Sequence, residues 1–105
     1  MYTGLYPIRH GSYQNHKPTF DGTKTVNEYM AEEGYRVGRT GKGHPNTPSV
    51  YKFEEIPGFT RNCVAAKAPY HVNGIREFIN RNDQPFLLYV CSIHPHVPWT
   101  WGDPG

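Results

Sequence analysis

Tyr35 to His44 reads YRVGRTGKGH. Tyr35–Thr40 has the make-up of a short strand, and it runs into a glycine turn. There Gly41 and Gly43 flank Lys42, and His44 follows. Glycine lets the backbone come close to a ligand because no Cβ stands in the way. Lysine brings a compact positive charge and three donors, which suits a tetrahedral oxyanion such as sulfate or phosphate. A histidine beside it can donate, accept or transfer a proton near neutral pH. No other part of the chain gathers these properties within four residues. The turn is not a phosphate-binding P-loop. That motif needs glycine where Arg36 stands and Ser or Thr where Gly43 stands. A solvated Gly-Lys-Gly turn would look the same in isolation, so its meaning depends on the flanking elements.

Before the turn, Thr25–Glu33 is predicted as a helix. Thr25 is a good N-cap with Glu28 three residues on, the capping-box arrangement. Val26, Tyr29 and Met30 fall on one apolar face. Gly34 ends the helix as a C′ glycine. The very short connection to the strand is typical of an α/β unit. Upstream, Leu5–His16 reads as a loop punctuated by Pro7 and Gly11. Its Arg9, His10 and His16 match no metal spacing and read as surface side chains. Met1-Tyr2-Thr3-Gly4 resembles the last turn of a helix with Gly4 at C′.

After the turn, Pro45–Tyr70 holds Pro45, Pro48, Pro57 and Pro69 and shows no steady period. Val50, Tyr51, Phe53, Ile56 and Phe59 supply apolar anchors, so an ordered excursion is expected. Val72–Arg81 is predicted as a second helix, with Val72, Ile75, Phe78 and Ile79 on one face. His71 or Asn73 lies near its N-cap, and Gly74 costs it about 1 kcal/mol relative to alanine. Pro85–Cys91, PFLLYVC, is a continuous apolar run, as for a central strand buried on both faces of a mostly parallel sheet. Cys91 is then a buried apolar residue rather than a reactive thiol.

Composition sets bounds on partners. With 105 residues the chain is one domain or part of one, and a net charge of +2 with no basic block gives no footprint for nucleic acid. Apolar residues are only 36%, while 11 glycines and 10 prolines make up a fifth of the chain, so the core is thin. Aromatics at 14% argue against disorder. Cys63 and Cys91 form no CxxC, so neither a zinc knuckle nor a redox pair is indicated. No apolar run is long enough to span a bilayer, and MYTGLYPIRH lacks the apolar core of a signal peptide.

Strand, excursion, helix and strand together make a βαβ unit, whose strands run parallel. Ligands of open α/β sheets bind at the C-terminal ends of such strands. Lys42 and His44 after one strand, and His94 and His96 after the other, are therefore expected at one crevice. A cationic crevice with two or three histidines suits an anionic tetrahedral group and proton transfer to a leaving group. His94 and His96 could instead be a turn held by Pro95 and Pro98, or a metal pair with Asp103 the nearest carboxylate.

Several motifs then follow one another in a recognisable order. They are Thr3-Gly4-Leu5-Tyr6-Pro7, Arg9-His10-Gly11, Gly34-Tyr35-Arg36, Thr40-Gly41-Lys42-Gly43-His44, Pro85-Phe86-Leu87-Leu88-Tyr89 and Pro95-His96-Val97-Pro98. In order and spacing the chain resembles the sulfatases of the alkaline-phosphatase superfamily, over nearly its whole length. Gly41 to Ile56, with Val50-Tyr51-Lys52-Phe53, is most similar to the heparan N-sulfatase (sulfamidase) branch. The resemblance implies an α/β/α sandwich, of which residues 1–105 would be one incomplete catalytic domain. It implies hydrolysis of a sulfate ester or sulfamate by a formylglycine made from Cys or Ser, with a divalent cation, usually calcium.

Lys42 matches the family lysine that binds sulfate. His44 matches the histidine of the Gly-Lys-x-His motif, which supports the nucleophile or sulfate. His96 matches the histidine that contacts sulfate and assists the leaving group. His94 has no firm counterpart, and Gly43 replaces a residue that is often large. The nucleophile motif is expected just before Met1, and the metal-binding acidic residues outside the chain, so residues 1–105 alone are expected to be inactive. Neither Cys63 nor Cys91 sits in a nucleophile motif. The implied partners are a sulfated small molecule or glycan and a formylglycine-generating maturation enzyme, not nucleic acid or membrane. The implied location is periplasmic, extracellular or lysosomal. A phosphodiesterase or phosphonate monoester hydrolase of the same superfamily would use much the same residues, and a non-catalytic anion- or glycan-binding module would use them without turnover.

Overall fold

The computed structural model describes residues 1–44, 46–61 and 70–93. Strand β1 (Arg36–Gly41) lies between β2 (Glu54–Glu55) and β3 (Phe86–Cys91) in a three-stranded sheet of order β2-β1-β3. Both pairings are parallel. β1 and β3 run in register from Arg36↔Phe86 to Gly41↔Cys91, and β2 joins through Gly38↔Glu54 and Arg39↔Glu55. The expected parallel α/β unit is present, with helix α3 (Asn73–Asn80) on the path to β3. The Pro45–Tyr70 excursion supplies β2, which its prolines conceal. Val50 and Ile56 are its buried anchors.

Alternation along β1 sends its side chains to two faces. Gly38 faces α3. A Cβ there would stand 2.7 Å from Ile56 Cδ1 and 2.8 Å from Phe78 Cζ. The missing side chain is thus the space that Phe78 and Ile56 fill. Phe78 is 1% exposed and meets the Phe86 ring edge-on at 5.8 Å. Burying such a ring contributes about 2–3 kcal/mol. Gly74 is explained in the same way, since a Cβ there would lie 2.5 Å from the Pro57 carbonyl oxygen. Helix propensity is given up for close packing of α3.

The opposite face is polar. Arg39, 1% exposed, pairs with Glu55 and lies 4.7 Å over the Phe53 ring. Tyr2, Phe53 and Tyr89 meet edge-on around it. Helix α2 (Val26–Glu32) packs here through Asn27, whose side-chain oxygen accepts the Tyr89 hydroxyl at 3.1 Å. Two helices on opposite faces of a parallel sheet give the three-layer α/β/α arrangement.

Several expectations are corrected. β3 has one neighbour, β1, among the described residues, and Phe86 and Val90 remain exposed. A continuous apolar run does not by itself distinguish an outer strand from a central one. In α2 the buried residue is Asn27, not the apolar set, for Val26 and Tyr29 are exposed. The capping box does not form, because the Thr25 hydroxyl donates to the Val50 carbonyl at 3.3 Å. Val72 and Ile79 of α3 are also exposed, which leaves Phe78 as the buried residue of that helix. Pro7–His10, read as loop, is one helical turn, α1, with proline at its start. Met1–Gly4 forms no helical turn, although Gly4 is left-handed at φ 64°. Cys91 is half-buried and free, and Cys63 lies outside the described residues.

The end of α2 follows the sequence. Gly34 is left-handed at φ 82°. Its N–H reaches the Ala31 carbonyl at 3.1 Å and the Tyr35 N–H reaches Met30 at 2.9 Å, a Schellman closure that feeds straight into β1.

Candidate functional site

The C-terminal ends of β1 and β3 meet at Gly41. Its φ is 84°, and a Cβ there would lie 2.0 Å from the Cys91 carbonyl oxygen. Only glycine takes this conformation at this distance without displacing a strand. The Lys42 N–H donates to the same carbonyl at 3.0 Å. The turn therefore leaves the sheet locked to β3, and it delivers the Lys42 side chain to a cleft of about 540 Å³.

That cleft is lined by Ser12, Tyr13, Gln14, Asn15, His16, Lys42, His44 and Asn46. Lys42 is half-buried and His44 exposed. Two loops form the walls, and hydrogen bonds fix them to each other. The buried Thr47 hydroxyl donates to the Thr19 carbonyl at 2.8 Å, and the Thr19 and Tyr51 hydroxyls lie 2.7 Å apart. The Phe20 N–H donates to the His10 carbonyl at 2.8 Å. This stitching brings the His16 ring to 5.8 Å from that of His44, at a tilt of 41°.

Among the described residues the lining holds one ammonium, two imidazoles, amides and hydroxyls, and no carboxylate. Such a surface is complementary to an anion that also carries hydrogen-bonding groups. Calcium takes six to eight oxygen ligands rich in carboxylates, which this described lining does not offer. Among the described residues no group of three or more His, Cys, Asp or Glu is placed to hold a metal ion. The described residues thus do not fit the family's cation.

Of the residues singled out in the sequence, Lys42 and His44 come together. His94 and His96 lie outside the described residues. His10 accepts the Ser12 N–H on Nδ1 at 3.3 Å and closes the α1 turn, and Arg9 is exposed. His16 was not expected in this company. It lies 28 positions from His44, and no spacing rule links them. The nearest signal is its own backbone, left-handed at φ 64°, which sequence does not report. In the aromatic cluster on the α2 face, burial first and the nearby Cys91 second raise the Tyr2 hydroxyl above its ordinary value, with Arg39 opposing. Burial likewise raises Tyr89.

Helices on both faces of a parallel sheet, with a cationic cleft at the strand ends, define an α/β protein of the open-sheet class. The family model of the sulfatases matches residues 1–104, and the chain belongs to that family. It is 28% identical over 102 residues to an ulvan-active sulfatase of Formosa agariphila, covering 91% of this chain and 19% of that protein. It is 27% identical over 110 residues to human N-sulphoglucosamine sulphohydrolase, covering 91% of this chain and 21% of that protein. The chain thus spans about a fifth of the length of these curated relatives. No solved structure matches it.

Proposed function

We propose that residues 1–105 form part of the sulfate-binding wall of a sulfuric ester or sulfamate hydrolase. The observation that carries this reading is the cleft itself. Lys42 and His44 share one depression at the C-terminal edge of a parallel sheet, whose described lining holds no carboxylate. The Lys42 ammonium neutralises the sulfate oxygens, and His44 donates a hydrogen bond beside it. His96, carried over from the Pro-His-x-Pro motif, gives its proton to the leaving oxygen or nitrogen as the bond to sulfur breaks. Formylglycine and a divalent cation, usually calcium in the family, belong to parts of the full-length protein other than the described residues. A maturation enzyme makes the formylglycine, and the protein acts after export.

The relatives' names refer to ulvan and to N-sulphoglucosamine, and from them we take a sulfated sugar as the substrate class. The amides of Gln14, Asn15 and Asn46 suit the hydroxyls of such a carrier. The test is turnover by the full-length protein of a sulfated monosaccharide, a sulfamate and a phosphate diester under one set of conditions. Release of sulfate from either of the first two, at rates well above phosphate diester cleavage, supports the reading. Preference for the diester turns it into a phosphodiesterase. Saturable binding with no turnover of any of them makes it a binding module.

A further inference from the structure

We infer that His16 is a further ligand-binding residue of the Lys42 cleft, reaching a bound tetrahedral oxyanion from the side opposite β1. The inference rests on the reading of the cleft as an anion site and adds a group to it. His16 lines the same depression as Lys42 and His44. Its ring centroid stands 5.8 Å from that of His44, with the planes tilted by 41°. Rings so placed can both direct an N–H at one acceptor lying between them.

His16 does not occupy this place by accident of a loose loop. Its segment is tied at Thr19 to Thr47 and at Phe20 to His10, each at 2.8 Å. Among the described residues it is also the one non-glycine residue with a left-handed backbone. That conformation is uncommon outside glycine, and where it persists the surroundings impose it. In this conformation the imidazole stands beside that of His44. Among the described residues no carboxylate lines the cleft to receive an N–H from either ring. An anionic ligand supplies the acceptor that the protein leaves out.

The chemistry needed is only charge-assisted hydrogen bonding, with no bond made or broken at His16. The ligand class is an oxyanion with at least two free oxygens, one held by Lys42 and one available to the imidazoles. His16 therefore contributes to binding and not to the chemical step.

The experiment is calorimetric titration of the full-length protein with sodium sulfate, for the wild type, His16→Asn and Lys42→Ala. Asparagine tolerates the left-handed backbone, so the loop is retained. We expect His16→Asn to weaken sulfate binding about tenfold, the scale of one hydrogen bond to a charged group, and Lys42→Ala to weaken it more. With a turned-over sulfated sugar, His16→Asn raises KM and leaves kcat near the wild-type value, the signature of binding shared by ground and transition states. An unchanged melting temperature excludes a merely structural role. If Lys42→Ala weakens sulfate while His16→Asn binds as tightly as the wild type, the inference is overturned and the reading of the cleft stands. If the wild type does not bind sulfate, or Lys42→Ala binds it normally, both fall together.

Discussion

At Gly38 and Arg39, β1 is closed on both faces. At Lys42 and His44, three to five residues further on, it opens into a cleft. In the middle Phe78 and Ile56 occupy the space over Gly38, and Glu55 answers one terminal nitrogen of the buried Arg39. At the end Lys42 and His44 have no acidic neighbour in the cleft among the described residues. A strand that served only the core would end in a solvated turn. This one ends at a glycine wedged on the Cys91 carbonyl, which fixes where Lys42 leaves the sheet. The middle is built for stability, and the end is where we propose that the ligand binds.

The largest effect should come from the middle. Phe78→Ala removes the most buried apolar side chain and should cost about 3–5 kcal/mol of stability, read by denaturant unfolding. If the end is a separate device, sulfate affinity per folded molecule should not change. A parallel loss of affinity in the folded fraction would break the distinction between the two regions.

Gly41→Ala tests the joint between them. The new Cβ meets a left-handed backbone and the Cys91 carbonyl at once. Strain and displacement together should cost about 2–4 kcal/mol. Unlike Phe78→Ala, it should also reduce turnover, because Lys42 loses its anchor on β3. Stability loss with normal kinetics would show that the anchor is dispensable.

The smallest effect lies on the surface of the middle region. The Arg81 guanidinium donates to Glu54 through both of its terminal nitrogens and holds that carboxyl below its ordinary value of 4.5. A lowered folded pKa means stability that is present above the ordinary value and lost as pH falls through the lowered one. Both partners are well exposed, so the pair is screened and weak. Glu54→Gln should be barely less stable than the wild type above the ordinary carboxylate range, and the gap should close as the pH falls below that range. A gap that persists in acid would mean the glutamate acts otherwise than through its charge.

The same contrast explains what could be read from sequence. The placement of Lys42 and His44 at the end of β1 was legible because the glycine turn that carries them is local, within four residues. The Gly34 cap and the β3 run were legible for the same reason. The face toward α2 was not. Thr25, Asn27 and Arg39 are buried there, and hydrophobic periodicity is blind to buried polar residues. It marked Val26 and Tyr29 instead, which face solvent. β2 escaped because a two-residue strand of glutamates has no periodicity, and Glu55 owes its place to Arg39 on the neighbouring strand. His16 escaped because its partner is distant in the chain and its position is set by the Thr19–Thr47 bond.

The central claim is that Lys42 serves a bound sulfate and not the fold. It is tested most directly by measuring turnover of a sulfated substrate and the melting temperature on the same preparations of full-length wild type and Lys42→Ala. The account predicts a loss of turnover of about 100-fold or more, the scale of one charge-stabilising donor, at an unchanged melting temperature. An unchanged rate, or a loss that follows a fall in melting temperature, would contradict it.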